Sequence, residues 1–98
     1  MKKIRDTIDI HERIVREDYK LDDGSIYTIT YEYDLKNHLV IKQEGTNTII
    51  IVYLQNRIFC EYVYDITENL IETIQYLYDG KLLIDKIFKT VVYTKQDK

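Results

Sequence analysis

Ring-bearing and aliphatic side chains alternate with polar ones in Tyr27-Thr28-Ile29-Thr30-Tyr31-Glu32-Tyr33, and this segment gives the clearest indication of the fold. Strict alternation of this kind is typical of a β-strand that buries one face and exposes the other. Tyr27, Ile29, Tyr31 and Tyr33 would share the buried face. The stretch therefore predicts a half-buried strand.

A turn precedes this strand at Asp22-Asp23-Gly24. Glycine adopts a positive φ at no steric cost, so a loop of these residues would close a hairpin. Such a loop places Tyr19 opposite Tyr27 and Val15 opposite Tyr31, which keeps apolar side chains together. The sequence therefore predicts an antiparallel partner strand before Asp22.

Turn residues separate further apolar stretches along the rest of the chain. The apolar run Thr48–Leu54 predicts a central strand covered on both faces. In the next strand the alternation places Ile58, Cys60 and Tyr62 on one face. The remaining strands are expected near 39–41, 57–64, 70–78 and from 82 toward 93.

Asp79-Gly80 is a two-residue hairpin signal, because a type I′ turn needs a positive φ at both central residues. This turn would pair Leu77 with Leu82 and Ile71 with Phe88. The sequence therefore predicts a closing hairpin in this register.

The N-terminal segment has two interpretations. Ile4, Ile8, Val15 and Tyr19 lie on one helical stripe, whereas Ile8 and Ile10 also alternate as in a strand. We therefore expect a lead or short helix over 1–12, an antiparallel meander over 13–94 and a frayed tail over 95–98. The fold class is all-β or mainly β, a single domain over 1–98 with six or seven strands that form a small barrel or sandwich.

One motif recurs along the chain. Tyr31-Glu32-Tyr33-Asp34 and Tyr62-Val63-Tyr64-Asp65 each precede a turn and two aliphatic residues, and Tyr76-Leu77-Tyr78-Asp79 is a shortened third copy. The aspartate of each copy can accept backbone N–H groups within its turn. The motif resembles the tyrosine–aspartate hairpin repeats of the Rhs and YD-repeat family, and this resemblance implies successive β-hairpins.

Composition limits the function. The chain has 98 residues, 14 basic and 17 acidic, and a formal charge of −3, which argues against direct nucleic-acid binding. A single cysteine excludes an intramolecular disulfide, and no apolar run has the ~20 residues that cross a bilayer. The sequence favours a cytoplasmic protein without membrane attachment. Its frequent Ile, Lys, Tyr and Asn residues have AT-rich codons, which favours an AT-rich bacterium or its phage as the source.

No catalytic or metal motif stands out. Cys60 is expected to be a buried, unreactive thiol, because reactive thiols need a nearby cation or a helix N-terminus. Asp34 and His38 flank one turn, but two ligands are too few for a closed metal site. We expect neither an enzyme nor a cofactor.

The tyrosines carry most of the functional content. The chain has 10 tyrosines and no tryptophan, and interfaces favour tyrosine because it offers rigid contact area. We expect a partner-binding surface at six positions: Tyr31, Tyr33, Tyr62, Tyr64, Tyr76 and Tyr78. The predicted function is a non-enzymatic protein-binding module with the small, acidic profile of phage inhibitors (anti-CRISPR-like) or immunity proteins.

Three further expectations concern partners. The acidic balance favours a basic, nucleic-acid-handling protein as the partner. An uncovered strand edge favours a homodimer. The alternatives to protein binding are a small-ligand or carbohydrate-binding β domain and a structural homo-oligomer.

Overall fold

A computed structural model describes residues 1–93 of the chain. Eight strands follow one another in it: β1 (Lys2–Ile8), β2 (Ile14–Lys20), β3 (Ile26–Tyr33), β4 (Leu39–Glu44), β5 (Asn47–Leu54), β6 (Arg57–Tyr64), β7 (Leu70–Asp79) and β8 (Leu82–Thr90). Each strand pairs antiparallel with the next, so the sheet order equals the chain order. The predicted antiparallel meander is confirmed.

The strand count and the closure of the sheet differ from expectation. The sheet has 8 strands rather than six or seven, and its outer strands β1 and β8 do not pair with each other. The described chain is therefore one open sheet, and the predicted barrel or sandwich is wrong. The expectation of a lead or short helix over 1–12 is also wrong, because this segment contains the strand β1 and residues 1–93 contain no helix.

The predicted N-terminal helix does not form because these residues pair with β2 as a strand instead. Lys3 lies opposite Tyr19 and Asp6 lies opposite Glu17, so β1 extends the sheet beyond β2. A strand beside an existing edge satisfies its backbone groups at once, whereas a short helix would need its own packing surface. The expected frayed tail at 95–98 lies outside the described residues.

The turn before β3 forms as predicted. Tyr19 pairs with Tyr27 across β2 and β3, and the Leu21 N–H donates to the Ser25 carbonyl across the intervening loop. Gly24 takes the positive φ of 87° in this loop. The chemistry of the turn residues therefore sets the register of this hairpin.

The register of the closing hairpin was predicted incorrectly. The loop residues are Gly80 and Lys81, so that Asp79 pairs with Leu82 and Leu77 with Asp85. Phe88 pairs with Ile74 rather than with Ile71. Gly80 takes the first loop position, where its φ is 60°, and this choice shifts the loop by one residue.

A β-bulge recurs at the same end of alternate strand pairs. The register shifts between Thr7 and Ile8, between Glu32 and Tyr33, between Val52 and Tyr53, and between Leu77 and Tyr78. The extra, unpaired residues at this end are Val15, Val40, Phe59 and Ile84. Two further register shifts lie elsewhere and leave Ile4 and Ile71 unpaired. A bulge bends the strand and increases the local twist, so the sheet twists at regular intervals.

The bulge at Phe59 overturns the predicted grouping around Cys60. Val52 pairs with Cys60 and Tyr53 pairs with Ile58. Because Val52 and Tyr53 are neighbours on one strand, Ile58 lies on the opposite face from Cys60. The thiol of Cys60 is free and buried.

The core is small because the described residues form a single layer. The buried apolar residues are Ile29, Ile51, Cys60 and Val63, and no large side chain is fully buried. Ile50 and Val52 are each 37% exposed, so the predicted burial of both faces of β5 is wrong. A single sheet offers each face only in-plane neighbours.

Candidate functional site

Strand pairing separates the tyrosines into two groups. Tyr19, Tyr27, Tyr31, Tyr33, Tyr53, Tyr76 and Tyr78 share one face with Ile29, Ile51 and Val63, which we term the tyrosine face. Tyr62 pairs with Ile50 and Tyr64 with Thr48, on the opposite face. Of the six residues expected to form one surface, four therefore lie together and two lie on the other side of the sheet.

The hydroxyl groups of the four residues on the tyrosine face are bound within the chain. Tyr33 donates to the Ile14 carbonyl and Tyr78 donates to the Ile58 carbonyl, each at 2.7 Å. Tyr31 donates to Glu17 and Tyr76 donates to Glu61. These hydroxyls have a structural role, because each links its strand to the preceding one.

Glu17 is the centre of this network. It is buried, 8% exposed, and its carboxylate contacts the Lys3 ammonium at 2.5 Å and the Tyr19 hydroxyl at 3.1 Å. The Lys3 ammonium, followed by the Tyr31 hydroxyl, lowers the pKa of Glu17. Burial, and then the ionised Glu17, raise the pKa of Tyr31. The network therefore holds a carboxylate in its charged state beneath tyrosine rings.

The same arrangement occurs a second time in the sheet. Burial, and then Glu61, raise the pKa of Tyr76 as Glu17 does that of Tyr31. The guanidinium of Arg13 lies 4.8 Å from the ring centroid of Tyr33, and that of Arg57 lies 4.1 Å from Tyr78. The hairpins β2–β3 and β6–β7 are therefore two copies of one structural unit.

This duplication was not predicted, although the sequence carries a signal for it. Arg-Ile-x-x-Glu begins at residue 13 and again at residue 57, and Ile-x-Thr-Ile-x-Tyr-x-Tyr-Asp begins at residue 26 and again at residue 71. The Tyr-x-Tyr-Asp alignment matched β3 first with β6, although these strands end at opposite ends of the sheet, and included β7 only as a shortened third copy. Strand polarity decides which copies are structurally equivalent.

Two of the three aspartates of the recurring motif have the geometry that the sequence predicted, whereas Asp79 of the shortened copy is the last residue of β7 and pairs with Leu82. Asp34 Oδ1 accepts the N–H groups of Lys36 and His38 at 2.8 and 2.9 Å, and Asp65 Oδ1 accepts those of Thr67 and Asn69 at 2.9 and 3.0 Å. The backbone N–H of His38 is the main cause that lowers the pKa of Asp34. Each carboxylate therefore caps its own loop.

Loops at the bulged end of the sheet form shallow grooves. One groove of about 540 Å³ is lined by Asp34, Leu35, His38 and Tyr53, with the imidazole of His38 stacked on Tyr53 at 4.5 Å. An adjacent groove of about 590 Å³ is lined by Arg13, Tyr33 and Asn37, among others. The aromatic floor and polar rim of these grooves could contact a polyhydroxylated ligand.

The face opposite the tyrosine face carries the exposed apolar side chains of the sheet interior. Ile50, Val52 and Leu54 alternate along β5 and are 37%, 37% and 56% exposed. Tyr62, opposite Ile50, and Tyr64, two residues further along β6, lie beside them. We term the set Ile50, Val52, Leu54, Tyr62 and Tyr64 the aliphatic patch.

Two classes of feature are absent from residues 1–93. That part of the chain has no group of three His, Cys, Asp or Glu side chains placed to hold a metal ion. It also contains no helix that is long and apolar enough to span a bilayer.

Comparison with protein-family models, with curated proteins and with solved structures finds no significant match to this chain.

Proposed function

We propose that the chain is a non-enzymatic protein-binding module that contacts its partner through the aliphatic patch. The observation that carries the proposal is the exposure of Ile50, Val52 and Leu54 in the middle of a sheet that has no second layer among the described residues. A sheet face of this kind is stabilised by covering it, and contiguous apolar surface marks interaction sites.

The position of the tyrosines supports this choice of face. Tyr62 and Tyr64 lie in the aliphatic patch, where no carboxylate of residues 1–93 accepts a hydrogen bond from them as Glu17 does from Tyr31. A tyrosine beside aliphatic side chains presents a rigid ring and a polar tip to a partner. Tyr31, Tyr33, Tyr76 and Tyr78 would support the fold behind this surface.

The charge of the chain bears on the kind of partner. The aliphatic patch itself carries no ionisable side chain except the tyrosine hydroxyls, whereas the whole chain has a charge of −3. A partner with an apolar contact surface inside a basic rim would suit both properties. An inhibitor or immunity protein of a phage or mobile element would act in this way, by covering a surface of its target.

Lysine substitutions within the patch test the proposal. Val52→Lys and Ile50→Lys place a charge in the middle of the patch, and we expect them to abolish capture of the partner from a lysate of the source organism. Ile66→Lys is the matched control, because Ile66 is 74% exposed in the loop between β6 and β7. Circular dichroism verifies that each variant keeps its strands.

The expected result is a dominant protein that wild type and Ile66→Lys retain and that both patch variants lose. Identical capture by all four proteins would contradict the proposal. Tyr64→Ala should also weaken capture, whereas Tyr78→Phe should affect only stability.

A second candidate function is the binding of a small polyhydroxylated ligand in the grooves at the bulged end. It is favoured by the stacked pair of His38 and Tyr53 beside the Asp34 carboxylate. A thermal-shift screen with sugars distinguishes the two functions, because only ligand binding raises the melting temperature in the absence of a protein.

A further inference from the structure

The two edges of the sheet differ in chemical character. β1 carries Lys2, Lys3, Arg5 and Asp6, and charged side chains resist pairing with another edge. Every residue of β8 is exposed, including Leu82, Ile84 and Phe88 at 68%, 59% and 63%. No part of residues 1–93 covers the outer side of β8. The edge at β8 is therefore open and largely apolar.

The hydrogen bonds between β7 and β8 determine which backbone N–H and C=O groups of β8 point away from β7. The N–H of Val91 donates to the Ile71 carbonyl at 2.9 Å, which defines a hydrogen-bonded pair. Hydrogen-bonded and non-hydrogen-bonded pairs alternate along antiparallel strands. Asp85, Ile87 and Lys89, which lie opposite Leu77, Gln75 and Thr73, therefore direct their backbone groups toward β7. Lys86, Phe88 and Thr90 direct theirs outward, and the outward N–H of Lys86 donates to the neighbouring Asp85 Oδ1 at 2.8 Å.

We propose that β8 pairs antiparallel with β8 of a second copy of this chain, with the two-fold axis at Ile87. In this register the outward backbone groups of Lys86 meet those of Phe88 of the second copy. The Lys86 N–H exchanges the Asp85 carboxylate for the Phe88 carbonyl of the second copy, which frees Asp85 to contact Lys89 and continues the ladder across the axis. Asp85 lies opposite Lys89 of the second copy, and the symmetry repeats this contact. The sequence Asp-x-Ile-x-Lys is thus complementary in charge to itself.

Neighbouring registers lack this complementarity. An axis at Lys86 places that ammonium against its own copy, and an axis at Phe88 places Lys89 against Ile87. Like charges directly opposite each other are destabilising, whereas opposite charges are favourable. Of these three axes, only the one at Ile87 places both Asp85 and Lys89 opposite a side chain of the opposite charge.

The arrangement also explains why the assembly would stop at two copies. Pairing of β8 with β1 would give an open-ended filament, but it brings Lys2, Lys3 and Arg5 against an edge that already carries Lys86 and Lys89. The two-fold arrangement uses both apolar edges and leaves only the charged β1 edges at the ends of the sheet. The dimer is independent of the proposed function, since the aliphatic patch stays uncovered in it.

Charge reversal tests the register. Asp85→Lys and Lys89→Asp each place two pairs of like charges at the interface, and we expect each to weaken dimerisation about tenfold or more. The double variant Asp85→Lys with Lys89→Asp restores opposite charges and should dimerise as wild type does. Sedimentation equilibrium measures the dissociation constants, and circular dichroism verifies folding.

Cross-linking tests the axis directly. In a Cys60→Val background, Ile87→Cys should form a disulfide-linked dimer under mild oxidation, because Cα atoms in a non-hydrogen-bonded pair are about 4.5 Å apart. Lys89→Cys is the matched control, since it would lie roughly 13 Å from its own copy. Both side chains are exposed on the same strand.

Three results would overturn the proposal. The first is a folded wild-type chain that stays monomeric up to about millimolar concentration. The second is a dimer that tolerates both single charge reversals or that links equally well through residues 87 and 89. The third is growth into open-ended polymers, which would indicate pairing of β8 with β1 instead.

Discussion

At the scale of single residues, the structure depends on buried carboxylates that accept hydrogen bonds from tyrosine hydroxyls. Glu17 is 8% exposed and has three partners, whereas its structural equivalent Glu61 is half-buried and accepts from Tyr76 at 2.6 Å. Removal of an acceptor leaves its donors unpaired, and the cost increases with burial. The two sites therefore provide a graded comparison within one chain.

Replacement of these carboxylates should have unequal effects. We expect Glu17→Ala to lower the free energy of unfolding by about 1–3 kcal/mol, because Tyr19, Tyr31 and Lys3 lose their shared partner. Glu61→Ala should cost about 0.5–1.5 kcal/mol, since one neutral donor is affected. Urea unfolding measures both values. Equal losses would show that the duplicated networks contribute alike.

The loop and network carboxylates also predict how stability depends on pH. The pKa values of Asp34 and Asp65 lie below their ordinary 3.8 and that of Glu17 below its ordinary 4.5. A lowered pKa in the folded state stabilises the chain above the ordinary value, and this stability is lost as the pH falls through the lowered pKa. We expect little change in unfolding free energy between about pH 7 and 5, and a decline toward pH 3. Glu17→Gln should flatten part of that decline.

At the scale of elements, hairpin turns set the register of the sheet. Gly45 and Gly80 each occupy the first loop position of a two-residue turn, with φ of 58° and 60°. A Cβ on Gly45 would lie 3.0 Å from Cε2 of Tyr27, whereas a Cβ on Gly80 meets nothing within 4 Å. The two turns share a backbone conformation and differ in their surroundings.

Alanine substitution separates these two effects. Gly80→Ala carries only the conformational cost of a positive φ, about 1 kcal/mol. Gly45→Ala should cost at least about twice as much, because the Tyr27 ring must also move. Thermal unfolding of both variants measures the difference. A Gly45→Ala variant as stable as Gly80→Ala would show that Tyr27 yields freely.

Local sequence patterns predicted the strands well but predicted their relations less well. Alternation identified β3, and aspartate and glycine identified the turn at 22–24, because both signals depend only on neighbouring residues. The loop of the closing hairpin was placed one residue too early, since Asp79-Gly80 and Gly80-Lys81 are both acceptable turns. Together with the bulge at Ile84, this moves the partner of Phe88 by three residues, from Ile71 to Ile74. The bulge at Phe59, which separates Ile58 from Cys60, has no local signal at all.

At the scale of the whole molecule, each strand contacts only its neighbours in sequence. A closed barrel or sandwich was predicted because a sheet normally buries one face. Whether a meander closes depends on the twist summed over all its strands and on what covers its faces. Neither property can be predicted from the sequence of a single strand. Tyr62 and Tyr64 lie on the opposite face from the other four tyrosines because β6 runs in the opposite direction to β3 and β7. Their placement was not predicted, since it too depends on how the strands are arranged in the whole sheet.

Such nearest-neighbour packing predicts a gradient of local stability. A sheet whose strands contact only their neighbours opens from its edges inward, so β1 opens first, β3 opens after two other strands and β5 after at least three. We expect amide hydrogens of β5 to exchange more slowly than those of β1, with β3 between them. Hydrogen–deuterium exchange with mass spectrometry measures this order. Uniform protection from β1 to β5 would indicate that the sheet opens only as a whole.

The regular bulges have a consequence for how such a chain can change in length during evolution. Because every second strand pair bends at the same end, a gene could gain or lose a complete hairpin and keep the phase of the twist and the edge chemistry. Gain or loss of one strand would reverse the direction of every later strand. The smallest insertion or deletion that preserves this architecture is therefore a pair of strands, so length variants should differ by whole hairpins.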